Sequence, residues 1–175
     1  MDYTNLKMSR SVVLFGASAA LLFSPQNASA CGLSWSPNPA DALRSAEMSQ
    51  RLAVVVFTGS DWSLKSAQLD QEVLMNVEFS DLFSQAFALA NADFPQRQKP
   101  APELLAETTA LATKHNITRF PTLLALRPDG TEFGRIEYTG EPVQEMIQRV
   151  TEWQQTYQKE LLARGTKVMV IQPAN

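Results

Sequence analysis

One cysteine and one histidine among 175 residues remove several kinds of chemistry before any motif is read. A structural zinc site needs four Cys or His ligands, and a disulfide needs two thiols within the chain. Neither can be assembled here. There is no excess of positive charge either: 15 Lys plus Arg stand against 18 Asp plus Glu, a formal net charge of -3. Nucleic acid, whose binding draws on many paired phosphates, is not an expected partner. No glycine-rich phosphate loop occurs, and Arg97, Lys99 and Arg119 are too few and scattered to make an anion site. No cofactor is implied. The longest apolar run, Val12 to Phe23, falls short of the ~20 residues that span a bilayer, so no transmembrane helix is expected. What is present, 45% hydrophobic residues over this length, fits one globular domain. A chain of this size buries roughly two-thirds of its unfolded surface, enough for a core without disulfides or metal.

Residues 1–30 read as a secretory leader. Lys7 and Arg10 precede the apolar run, and a polar stretch then ends in Ala28-Ser29-Ala30, a small-residue cleavage pattern. A start at Met8 leaves Met-Ser-Arg ahead of that run and drops Asp2, a cleaner leader. The expected location is outside the cytoplasm, periplasmic or extracellular. Cleavage places Cys31 first in the domain and makes the remainder one charge more acidic. Two readings of Cys31 stand: a lipid attachment site, or an incidental thiol at a frayed terminus. The interval Ser24 to Ala30 between the apolar run and Cys31 favours an ordinary cleaved leader.

Beyond the leader the pattern alternates between helical and extended periods, with no internal repeat. Pro39 to Gln50 carries Ala42, Leu43 and Ala46 at helical spacing behind an Asn38 cap and a first-turn proline. Leu52 to Phe57 is continuously apolar, as a central strand buried on both faces should be. From Ser63 to Val77, Leu69, Val73, Leu74 and Val77 share one helical stripe. Phe79 to Gln85 reads as a short turn or helix, Phe87 to Phe94 as a strand, and Glu103 to Lys114 as a helix. Leu123 to Leu126 and Glu132 to Tyr138 flank Pro128-Asp129-Gly130, an antiparallel hairpin signal. A last helix from about Pro142 to Ala163 stacks Val143, Met146, Ile147, Val150, Trp153, Tyr157 and Leu161 on one face. The domain therefore spans 31–165. The tail 166–175 contains Val168-Met169-Val170-Ile171, which can pair at a sheet edge or stay loose.

This order, an α/β arrangement with a central mixed sheet flanked by helices, resembles the thioredoxin-like fold. The local sequences carry the likeness further. Val54 to Trp62 is similar to the strand-to-active-site segment of secreted bacterial thioredoxin-like proteins of the thiol:disulfide interchange type, which continue Cys-X-X-Cys and then Lys/Gln-Leu-Asp-X-Glu-Val. Gln68-Leu69-Asp70-Gln71-Glu72-Val73 follows at the matching distance. Ala92-Asp93-Phe94-Pro95, Asn116 to Thr122, and Asp129-Gly130 to Gly140 match further family segments, so the resemblance covers about 38–163.

At the family's redox position stands Ser63-Leu64-Lys65-Ser66. Thiol–disulfide exchange needs an attacking thiolate and a second thiol that resolves the mixed disulfide. A serine hydroxyl does neither, and Cys31 alone has no resolving partner. Val56 stands where many redox-active relatives carry a buried acid. The resemblance implies that Phe120-Pro121-Thr122 forms a cis-proline loop facing the first turn of the site helix, and that this loop offers backbone groups to an extended peptide. The expected function is a non-catalytic, chaperone-like module binding exported proteins or peptides around Trp62, Ser63, Ser66, Phe120, Pro121 and Thr122. The plainer alternative makes Trp62 a core residue and Pro121 a punctuation before the hairpin. A second class is a thiol–disulfide oxidoreductase represented by a Cys-to-Ser variant, and a third is a structural part of an envelope assembly contacted through the tail.

Other constellations fall away. Ser63 and Lys65 are two apart on a helix and point to different sides, which leaves Ser63 as a helix cap and Ser66 as a first-turn residue of about thiol size. Asp70 and Glu72 diverge for the same reason and read as solvated charge. His115, at a helix end, suits the negative pole of the helix dipole better than catalysis.

Overall fold

The computed structural model describes residues 33–36, 38–97 and 99–165. The leader 1–30, Cys31 and the tail 166–175 lie outside the described residues. Among the described residues five strands form one sheet: β1 (Trp35–Ser36), β2 (Leu52–Thr58), β3 (Phe87–Asp93), β4 (Thr122–Leu126) and β5 (Glu132–Glu137). Their spatial order is β1-β3-β2-β4-β5. The first three run parallel, β4 is antiparallel to β2, and β5 is antiparallel to β4. The continuous apolar run of β2 has its reason in this placement. Leu52, Val54 and Val56 face one core, and Ala53, Val55 and Phe57 face the other.

Five α-helices among the described residues cover the two faces. α1 (Pro39–Ser49) and α4 (Pro102–Lys114) lie on the Phe57 side; α2 (Leu64–Leu69), α3 (Val77–Ala86) and α5 (Val143–Ala163) lie on the Val56 side. Asn38 caps α1 as its position suggested, its Oδ1 accepting the Asp41 N–H at 2.8 Å. The hairpin turns at Gly130, whose φ of +76° is open to glycine at no steric cost. Turn bonds from Gly130 N to Arg127 O (2.8 Å) and from Arg127 N to Thr131 O (2.9 Å) close it.

Three features differ from the sequence expectation. The single helix over 63–77 is instead α2 followed by a π turn, Asp70–Leu74, closed by the Met75 N–H on the Asp70 carbonyl at 2.9 Å. Asn76 then ends it and caps α3, its Oδ1 accepting the Phe79 N–H at 3.1 Å. This cap redirects the chain so that Phe79 and Phe83 reach the core while Val77, expected on the buried stripe, is 61% exposed. The short element at 79–85 is thereby a full helix. Finally, β1 is only two residues long, too short to leave any periodicity; it exists because Trp35 and Ser36 pair with Leu89 and Ala90. No helix among the described residues is long and apolar enough to cross a membrane.

Packing of α5 on the hairpin supplies a test. A Cβ at Gly134 would stand 2.8 Å from Trp153 Nε1 and 3.1 Å from its Cε2, closer than a rigid, half-buried ring tolerates. Gly134→Ala is expected to lower unfolding free energy by about 1–3 kcal/mol in urea titration. An unshifted midpoint would show that Trp153 is not fixed against β5.

Candidate functional site

The site begins where β2 runs out. Gly59 follows the last strand residue, and its missing side chain is occupied by Trp62: a Cβ there would meet Trp62 Cε2 at 2.3 Å. Trp62 and Ser63 both donate backbone N–H bonds to the Gly59 carbonyl, at 3.2 and 2.8 Å, so the chain doubles back before α2 starts. Ser63 caps α2, its Oγ accepting the Ser66 N–H at 3.2 Å. Ser66 is buried at 3% exposure, and its Oγ accepts the Gly59 N–H at 3.1 Å. Both hydroxyls thus organise the turn. Lys65 does not serve either as a base, because its Nζ donates to Gln68 Oε1 at 2.9 Å.

Carboxylates brace the same turn. Asp61 accepts the backbone N–H groups of Gln96 (2.9 Å) and Arg97 (2.7 Å), and these bonds hold its carboxyl below the usual range. Asp93 accepts from the Thr58 hydroxyl at 2.9 Å, the Ser60 N–H at 2.9 Å and the Ser60 hydroxyl at 2.5 Å. The end of β2 is in this way tied to the end of β3.

Opposite stands the loop before β4. Its Phe120–Pro121 peptide bond is cis, the Pro121 carbonyl accepts the Tyr138 N–H at 3.1 Å, and the Thr122 hydroxyl donates to the Arg119 carbonyl at 2.8 Å. The Trp62 indole N–H donates to the Phe94 carbonyl at 2.7 Å. Its ring meets Phe120 edge-on at 5.5 Å, and Phe120 meets Phe94 at 5.4 Å. This aromatic junction brings Trp62 to Phe120, the residue before the cis bond. Trp62 is 43% exposed and Leu64 89%, so Trp62 is a surface residue with one edge packed. Ser66, Pro121 and Thr122 are buried and turn their side chains inward.

Phe94, Gly59 and Tyr138 complete the arrangement and were not singled out by sequence reasoning. Phe94 offered a signal in the Asp-Phe-Pro segment; the close approach of Trp62 to Gly59 offered none. Tyr138 Oη is buried with no hydrogen-bond partner among the described residues, and burial together with the charges of Glu72 and Glu141 pushes its phenol up. Val56 is fully buried among apolar neighbours. Asp70 and Glu72 are exposed. His115 lies away from this junction: its Nδ1 faces Glu132 Oε2 at 3.4 Å, and its own backbone carbonyl, at the end of α4, accepts from Arg135 Nη2 at 2.8 Å.

The family described as a thioredoxin-like domain matches residues 39–152. The disulfide bond reductase DsbH of Chlamydia pneumoniae is 25% identical over 109 residues, covering 62% of this chain and 65% of the relative. The thioredoxin-related protein DsbJ of the same organism is 22% identical over 126 residues, covering 72% of this chain and 36% of the relative. The chain thus spans less than two-thirds of the length of either curated relative. Among solved structures, a DsbH oxidoreductase superposes with a TM-score of 0.67 at 22% identity, covering 79% of this chain and 96% of that one. A thioredoxin from Thermus thermophilus gives 0.53 at 24% identity, covering 71% and 87%. These two structural likenesses show the fold.

Ser66→Ala is expected to strand the buried Gly59 N–H. The cost is about 1–3 kcal/mol, read as a lowered denaturation midpoint with faster hydrogen exchange at Gly59. Unchanged exchange there would mean that the Ser66 hydroxyl does not hold the turn.

Proposed function

This chain belongs to the thioredoxin-like domain family, and from that premise we propose that it is an exported, redox-inactive member that holds extended segments of other proteins against the surface formed by Trp62, Ser63, Phe120 and Pro121. It is similar to the disulfide bond reductase DsbH and to the thioredoxin-related protein DsbJ and has a single cysteine. The observation that carries the reading is the use of both serine hydroxyls. Ser63 Oγ and Ser66 Oγ accept backbone N–H bonds, so the turn keeps its shape without the sulfur atoms that electron exchange requires.

A half-exposed Trp62 beside the cis Phe120–Pro121 bond suits an extended partner. Aromatic rings give large contact area at small entropic cost, and loop backbone groups can pair with a strand-like ligand. Exposed Leu64 extends the apolar rim. In this reading residues 1–30 direct export, 31–165 form the binding domain, and the buried Ser66 and Thr122 shape the site from within.

The second reading, an oxidoreductase whose cysteines are replaced by near-isosteric serines, is favoured by the intact scaffold around residues 63 and 66. One set of measurements separates the two. The chain without its leader is expected to capture reduced, unfolded exported proteins while showing no disulfide reductase turnover. Trp62→Ala and Pro121→Ala are expected to weaken capture about tenfold, the range of an interface anchor. Capture unaffected by both substitutions would overturn the binding surface. Ser63→Cys with Ser66→Cys is expected to create reductase activity; a folded but inert double variant would show that the site is no longer a disguised dithiol site.

A further inference from the structure

A groove of about 540 Å3 lies against the last turns of α5. It sits at the start of β2 and β3, where Leu52 and Phe87 line it, the end of the sheet opposite the Trp62–Phe120 junction. Tyr157 and Leu161 continue its apolar lining from α5. We propose that this groove is the docking site for the apolar run Val168-Met169-Val170-Ile171 of the same chain, which folds back along α5. The helix itself points the chain there. Gln154, Tyr157, Gln158 and Leu161 all line the groove, and their spacing of three and four puts them on one helix face. The next position on that face is Gly165, four residues after Leu161. Its φ of +74° and its N–H bond to the Leu162 carbonyl at 3.0 Å are the left-handed ending that takes a chain off the helix axis.

Length and chemistry both fit this occupant. From Gln154 to Leu161 the helix rises about 10 Å, and from Val168 to Ile171 an extended backbone covers about the same distance. Thr166 and Lys167 supply the turn between the two. Two large apolar side chains flank the groove uncovered: Met48 in its wall is 89% exposed and Leu162 beside it 59%. The glutamines at 50, 85, 154 and 158 around it each carry an amide donor and an acceptor, the complement of an extended backbone. Arg51 in the wall already bonds the carbonyls of Ser84 and Gln85 at 3.3 and 3.0 Å, so an uncharged run leaves no cation stranded there. Glu47 at the same wall offers Lys167 an opposite charge. The docking stands or falls independently of the peptide-binding proposal.

The test is methyl NMR on the chain without residues 1–30, read as nuclear Overhauser contacts from the methyls of Val168, Met169, Val170 and Ile171. Contacts with Leu52, Phe87 or the Tyr157 ring are expected. In a mixture of two differently labelled preparations, they are expected within one chain only. Met169→Asp combined with Val170→Asp puts a carboxylate on each side of an extended run, so that one meets the groove whichever side faces it, and burying that charge is costly. The contacts are expected to disappear in this variant. Met48→Asp, at an exposed position that leaves the core intact, is expected to remove most of their intensity. The proposal is overturned if none of the three groove residues is contacted, as pairing of the run at a sheet edge would give. It is equally overturned if the contacts run between chains, which would make a second copy the occupant, or if they survive either variant.

Discussion

The close approach of Trp62 to Gly59 is the contact on which the functional end of the molecule depends. Because position 59 has no side chain, the indole lies over the backbone where β2 ends, and its N–H reaches the Phe94 carbonyl. That single placement joins β2 to the segment after β3 and sets the ring in a T-shaped contact with Phe120. The same glycine N–H is held by Ser66 Oγ and the same glycine carbonyl by Trp62 and Ser63. Strand, turn, helix and cis-proline loop therefore share one small junction.

The consequence for chemistry comes from which atoms sit in that junction. Oxygen at 63 and 66 makes the hydrogen bonds of the turn and offers no thiolate for disulfide exchange. The surroundings agree: Val56 leaves the interior beneath α2 apolar, and Lys65 is occupied with Gln68. In the proposed role, contact area and a shaped backbone are what the site offers an extended chain. The exposed indole is the part of that surface with the largest area to offer a partner.

Much of the architecture was legible because burial leaves a periodic trace. β2 is sandwiched between two cores, so its apolar run is unbroken; α5 packs one face on the hairpin and α3, so its stripe repeats at helical spacing. Asn38, Ser63 and Gly130 announced the caps and the turn by residue type alone. The illegible parts are those settled by tertiary contact. A two-residue strand has no period to detect. The π turn and the Asn76 cap arise because the chain must re-aim between Leu74 and Phe79, and the residues of the broken helix look helical throughout. At the site, Ser63 and Phe120–Pro121 could be read from local motifs, whereas the fit of Trp62 into the space over Gly59 depends on atoms that only the folded chain brings together.

Hydrogen–deuterium exchange on the chain without residues 1–30, with and without an unfolded protein in excess, bears on the central claim most directly. The account predicts new protection concentrated at residues 62–64 and 119–122, with α1 and α5 unaltered. Protection confined to other elements, or none under conditions in which the two proteins associate, would contradict a peptide-holding role for this junction.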